Sequence, residues 1–144
     1  MSLALEEARR AADGGEVPVG AVVVDPDQGR ILGAAGNRVE ALADPTAHAE
    51  MLALRAAALV LGSPRLVGCD LYVTLEPCPM CAAAISFARI RRLYFGAYDP
   101  KGGGVVHGPR IYAHSTCHHR PDVYGGIREY DAGRLLPAFF RARR

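Results

Sequence analysis

The residues that could do chemistry fall in two short stretches, ADPTAHAEMLAL from Ala43 to Leu54 and LEPCPMC from Leu75 to Cys81. In the first, His48 and Glu50 interrupt an alanine- and leucine-rich run at the place where a helix should begin. In the second, Cys78 and Cys81 stand three apart where a strand hands over to a helix, so in a first helical turn both sulfurs project from one side. The dipole and free N–H groups of a helix N-terminus favour thiolate over thiol, as a metal ligand pair requires. Structural zinc usually takes four protein ligands, whereas catalytic zinc takes about three and leaves one position for water. Cys78 and Cys81 supply two ligands, His48 is the best third, and Glu50 would be held beside the metal as an acid and base. Deep inside a regular helix, positions two apart point roughly 200° away from each other. His48 and Glu50 can therefore face one site only in the first turn, for which Thr46 is a reasonable N-cap.

Each part alone has a plainer reading: Cys-x-x-Cys also serves redox dithiols, and a histidine at a helix start is often only a satisfied polar group. Together they change the odds, because His-x-Glu followed by Pro-Cys-x-x-Cys, with Cys78 30 positions after His48, is the pattern of zinc-dependent deaminases. Cys69, at the start of an apolar strand, reads as core. Cys117, in the loop AHSTCHH, lacks the ordered ligand spacing of a second metal site.

Regular elements must position these groups. Leu3, Leu5, Ala8 and Ala11 predict a short amphipathic helix ended by Gly14-Gly15. VPVGAVVVD and RILGAAGN predict a hairpin around Pro-Asp-Gln-Gly. AHAEMLALRAAALVL is the clearest helix, stopped by Gly62-Ser63-Pro64, and CDLYVTLE, PMCAAAISFARI and RRLYFGAY follow as strand, helix and strand. From Asp99 to about Gly126, glycine, proline and histidine break every period, and a long irregular segment of this kind is often functional. YDAGRLLPAFFRARR closes the chain as a helix that Pro137 should bend or divide, with Phe139 and Phe140 read as core. The rhythm argues for a layered α/β sandwich in which the later strands run parallel.

With 144 residues, half of them apolar, the chain has the size of one domain, residues 1–144, with material for a real core. No apolar run approaches the roughly 20 residues that span a bilayer, and MSLALEEARRAADGGE lacks a signal peptide's order, so a cytoplasmic location is expected. Sixteen of the 17 basic residues are arginine, Lys101 being the exception, which permits an RNA or nucleotide partner.

EVPVGAVVV, GNR, DPTAHAEMLALR, LYVTLEPCPMCAAAISFARI, RLYFGAYDPKGG, HHRPDVYGG and FFRARR together resemble the bacterial tRNA-specific adenosine deaminase family, within the cytidine deaminase-like superfamily. The resemblance covers nearly the whole chain. It implies a three-layer α/β/α sandwich around a central mixed five-stranded sheet, a homodimer, and conversion of adenosine to inosine at the wobble position of a transfer RNA anticodon. It further implies one Zn2+ per subunit on His48, Cys78 and Cys81, proton transfer by Glu50, and contact of Asn37 with the target nucleoside. Val17, Pro18, Ala49 and Pro77 would form pocket walls. Tyr98, Asp99 and Lys101 would touch the RNA of an anticodon stem-loop, together with Arg120, Arg141, Arg143 and Arg144. Two other readings stay open on the catalytic residues alone. One is a zinc deaminase of a free base or nucleoside such as guanine, cytosine or cytidine. The other is a non-catalytic, zinc-stabilised RNA-binding domain, against which Glu50 argues because a structural site needs no acid and base.

Overall fold

Ala4, Leu5, Ala8 and Ala11 recur on one side of Ser2–Asp13, and this buried stripe lays helix α1 on a sheet. In the computed structural model, which describes residues 1–144, strands β1 (Gly20–Asp25) and β2 (Arg30–Gly36) form the expected antiparallel hairpin. Then follow α2 (Val39–Leu42), α3 (Ala49–Leu61), β3 (Asp70–Leu75), α4 (Pro79–Phe87) and β4 (Arg92–Ala97). A 3-10 turn (Ile111–Ala113), β5 (Asp122–Tyr124), α5 (Glu129–Gly133) and α6 (Leu135–Arg141) complete the chain. The sheet order is β2-β1-β3-β4-β5; β1 runs antiparallel to β2 and β3, while β3, β4 and β5 are parallel.

Alternation along the strands divides the chain into three layers. Ala21, Val23, Leu71, Val73, Leu93 and Phe95 share a continuous core with Ala53 and Ala57 of α3 and with Ala82 and Ile85 of α4. Burying a side chain such as Phe95, which is fully enclosed, contributes about 1.5–3 kcal/mol. The other face takes α1 and α5. At Gly20 a Cβ would stand 2.0 Å from the Ala4 carbonyl oxygen, so only glycine lets α1 approach there. The parallel pair β3 and β4, joined through α4, brings two strand ends and two helix starts to one side of the sheet, where ligand crevices of such folds lie.

The three-layer sandwich with a mixed five-stranded sheet agrees with expectation, and four differences have physical reasons. β5 lies inside the segment read as irregular. It has three residues, too few for a period, and is held by long-range partners: it pairs with Arg92–Tyr94, and Tyr124 stacks on Tyr94, which stacks on Tyr72, at 5.1 and 4.5 Å between centroids. The short helix α2 depends on Glu16, whose carboxylate accepts the Glu40 and Ala41 N–H groups at 3.2 and 2.8 Å from more than twenty residues away. α4 ends at Phe87, short of Ile90, because Arg89 turns into the left-handed region at φ 62°. The C-terminal run divides at Arg134, and Pro137 sits in the first turn of α6, where its missing N–H has no intrahelical partner to lose. No helix is long and apolar enough to cross a membrane.

Candidate active site

Two helices start at the same place. His48 and Cys78 are the N-cap residues of α3 and α4, both with extended backbones (φ −70°, ψ 151° and φ −68°, ψ 169°), and Pro79 opens α4 at the position where proline is preorganised. Cys81 lies one turn into α4 and Glu50 in the first turn of α3, so the spacing argument for His48 and Glu50 holds. His48 Nδ1 is 3.6 Å from Cys78 Sγ and 3.5 Å from Cys81 Sγ, and the three ligand atoms lie within 4.8 Å of one another. Atoms held about 2.1 to 2.3 Å from one tetrahedral centre stand about 3.6 to 3.8 Å apart, so one nitrogen and two sulfurs at these separations fit a single zinc ion. Cys69 and Cys117 are elsewhere. Cys117 bonds to Ser86 and the His119 carbonyl, and no second cluster of ligands forms around it.

The electrostatics suit that use. A hydrogen bond from Cys81 and the neighbouring His48 hold the Cys78 thiol down to about 4, against the burial that would raise it. Cys81 is pushed up because it donates to Cys78 and is itself buried beside Glu50. His48 is raised, chiefly by its hydrogen bond with Cys78, although burial opposes the shift. Glu50 is only 4 % exposed, and burial pushes its carboxyl to about 7, the range in which an acid and base can both give and take a proton.

The expected N-cap does not form. Asp44, two residues upstream, captures the Thr46 hydroxyl at 2.7 Å and its N–H at 2.8 Å, and His48 takes the cap position instead. The orphan Ala49 N–H donates to Asn37 Oδ1 at 2.8 Å, so a residue from the end of β2 fastens the start of α3. Asn37 thus positions the helix that bears His48 and Glu50 as well as facing the cavity.

That cavity is about 610 Å³, the size of a small-molecule site. Its wall includes Val17, Asn37, His48, Glu50, Cys78 and Asp99, while Pro18, Ala49 and Pro77 are buried and stand behind the lining instead of in it. Phe139 of α6 and Arg143, two residues beyond the end of that helix, close one side, with the guanidinium carbon 3.6 Å above the ring centroid. Phe139 therefore serves core and cavity together, whereas Phe140 is 50 % exposed, contrary to its reading as core. Tyr98 is partly exposed and sets its ring edge to face against Phe95; Lys101, Arg141 and Arg144 are exposed. Arg120 is occupied internally, donating to the Tyr112 and His114 carbonyls.

Among the lining residues that escaped the sequence reading are Glu16 and Glu76. Glu76 is 2 % exposed, and although burial would raise its carboxyl, hydrogen bonds from the Asp99 N–H and from His107 and Val106 hold it below the ordinary range. The signal was present as an acidic residue ending a buried strand just before Pro-Cys, but its partners lie 23 to 31 residues ahead.

Residues 1–97 match the cytidine and deoxycytidylate deaminase zinc-binding region. The chain is 58% identical to a tRNA-specific adenosine deaminase of Agrobacterium fabrum over 144 residues, which is 100% of this chain and 93% of that protein. It is also 58% identical to a solved structure from work on A-to-I editing by tRNA:A34 deaminases at the wobble position of transfer RNA, with a TM-score of 0.91 over 94% of this chain and 97% of that one. A guanine deaminase from Nitrosomonas europaea is 25% identical, with a TM-score of 0.83 over 96% of this chain and 81% of that one. The zinc-binding region and the His48, Cys78 and Cys81 donors agree on one Zn2+ per chain. Matched over its first 97 residues to that region and over its whole length to a tRNA-specific adenosine deaminase, the chain belongs to the cytidine and deoxycytidylate deaminase family and, within it, to the tRNA-specific adenosine deaminases.

Proposed function

We propose that this chain is the hydrolytic deaminase its relatives are named for, converting adenosine to inosine at the wobble position of a transfer RNA anticodon. The observation that carries the reading is the convergence of His48, Cys78 and Cys81 with buried Glu50 at the floor of one cavity.

His48, Cys78 and Cys81 would hold zinc, whose Lewis acidity would lower the pKa of a water toward about 7. Glu50 takes a proton from the attacking water, delivers it to the ring nitrogen of adenine, and carries a further proton to the amino group, which leaves C6 as ammonia. Asn37 presents its amide to the nucleoside while its oxygen holds the Ala49 N–H. Val17 and Phe139 give the base apolar walls that exclude water. An adenine stacked in its loop cannot reach this floor, so the target nucleotide is flipped out, at modest cost from an anticodon loop. Arg143 at the rim, with exposed Lys101, Arg141 and Arg144, meets the phosphates of the stem-loop, and Tyr98 and Asp99 shape the same rim.

We further propose one domain spanning residues 1–144, a cytoplasmic site of action on transfer RNA, and a homodimer. The exposed Leu59 and Phe87, at 85% and 73%, near the C-terminal ends of α3 and α4, support the last. The competing reading, deamination of a free base, draws on the likeness to guanine deaminase. Incubation of zinc-loaded protein with an anticodon stem-loop carrying a wobble adenosine, followed by nuclease digestion and mass spectrometry, should yield inosine. An unchanged adenosine content would overturn the reading.

A further inference from the structure

The cavity wall formed by Asp99 and Gly102 belongs to a segment without regular structure, yet it is held at five points by one side chain. Glu76, whose side chain is fully enclosed, directly follows β3 and precedes Pro77 and Cys78. Its Oε1 accepts the N–H groups of Val105, Val106 and His107 at 3.3, 2.9 and 3.0 Å. Its Oε2 accepts the Asp99 N–H at 2.9 Å and lies 2.8 Å from His107 Nδ1. A carboxylate has about four acceptor sites and no donor, so His107 must carry its hydrogen on Nδ1 to make the fifth contact. Gly103 passes so close that a Cβ there would stand 2.5 Å from the Glu76 carboxyl carbon. The segment folds around the carboxylate, and its other firm attachments are the buried Val105 side chain and the Gly104 N–H bond to the Pro77 carbonyl at 2.8 Å.

We propose that Glu76 and His107 form a positioning pair that fixes the Asp99 to Gly102 wall over Cys78 and so sets how the substrate is held. This role rests on the deaminase reading. Glu76 touches neither substrate nor metal in it; it acts through the backbone it gathers. The carboxylate joins the strand that leads to the zinc-side cysteines to the loop that faces the substrate, so the two sides of the cavity share one anchor. His107 is the replaceable half: half-exposed, it closes the loop from outside, with its ring nearly perpendicular to that of Tyr98 at 6.2 Å between centroids.

His107→Leu removes the side-chain donor, and His107→Asn restores one close to the position of Nδ1. Glu76→Gln leaves an amide where donors converge and loosens the loop from the other side. In zinc-loaded protein, hydrogen exchange of the 99–107 amides should quicken in His107→Leu and return toward wild type in His107→Asn. KM for the stem-loop should rise about tenfold in the leucine variant, with kcat and zinc content little changed, and recover with asparagine. Unchanged exchange and KM in His107→Leu, or equal losses in the Leu and Asn variants, would overturn the proposal. Faster exchange with an unchanged KM would overturn it too, because the pair would then serve only the fold. If wild type leaves the stem-loop unreacted, the function reading fails, while the exchange comparison still decides whether the pair holds the wall; KM is then read on the base that is turned over.

Discussion

Asn37→Ala separates the two duties that meet at the start of α3. The Asn37 side chain is buried, and its oxygen is the only acceptor found for the Ala49 N–H, the amide between His48 and Glu50. Removing it leaves a buried donor unpaired, at a cost of about 1–3 kcal/mol. With about 2.1 cal/mol/K of unfolding entropy per residue, the 144 residues give about 0.3 kcal/mol/K, so Tm should fall by about 3–10 °C. Asn37→Asp keeps an acceptor at the positive end of α3 and should recover most of that loss, yet it lacks the amide donor offered to the nucleoside, so its activity should stay low. The assay is thermal unfolding of zinc-saturated protein by circular dichroism, paired with stem-loop deamination by the same samples. An alanine variant that unfolds within about 1 °C of wild type would refute the reasoning, because an orphaned buried N–H must cost more than that.

Three further outcomes follow from the site. Glu50→Gln should fold and retain zinc but lose about 10²–10⁴-fold in turnover, measured by single-turnover kinetics; near-normal rates would remove Glu50 from proton transfer. Cys78→Ala should lose its metal, and full zinc content by elemental analysis would refute the ligand assignment. Stem-loop binding should weaken with salt at a slope of about −0.7 per phosphate contact, and replacing Arg141, Arg143 and Arg144 together should flatten it; a slope that does not respond would take the C-terminal arginines out of the interface.

The zinc donors and Glu50 were legible because their chemistry is local: two helix starts, each with its ligands within one turn, leave a readable spacing. The strands and helices with clear periods were legible for the same reason. What escaped depends on partners distant in sequence. Glu16 and Glu76 are acidic residues whose acceptor oxygens are used by amides far along the chain, and β5 is three residues held by pairing and by a tyrosine stack. Thr46 misled because its hydroxyl had a nearer partner in Asp44 than the helix end. Arg120 resembled a free cation but is bound to two carbonyls, which only the folded loop provides.

The most direct test of the central claim compares kcat/KM for the anticodon stem-loop with that for free guanine, cytidine and adenosine, using one preparation of zinc-loaded protein. The structure and the family predict turnover of the wobble adenosine in RNA and none of the free compounds. Efficient deamination of free guanine with an inert stem-loop would contradict the account, leaving the zinc chemistry in place and the substrate wrong.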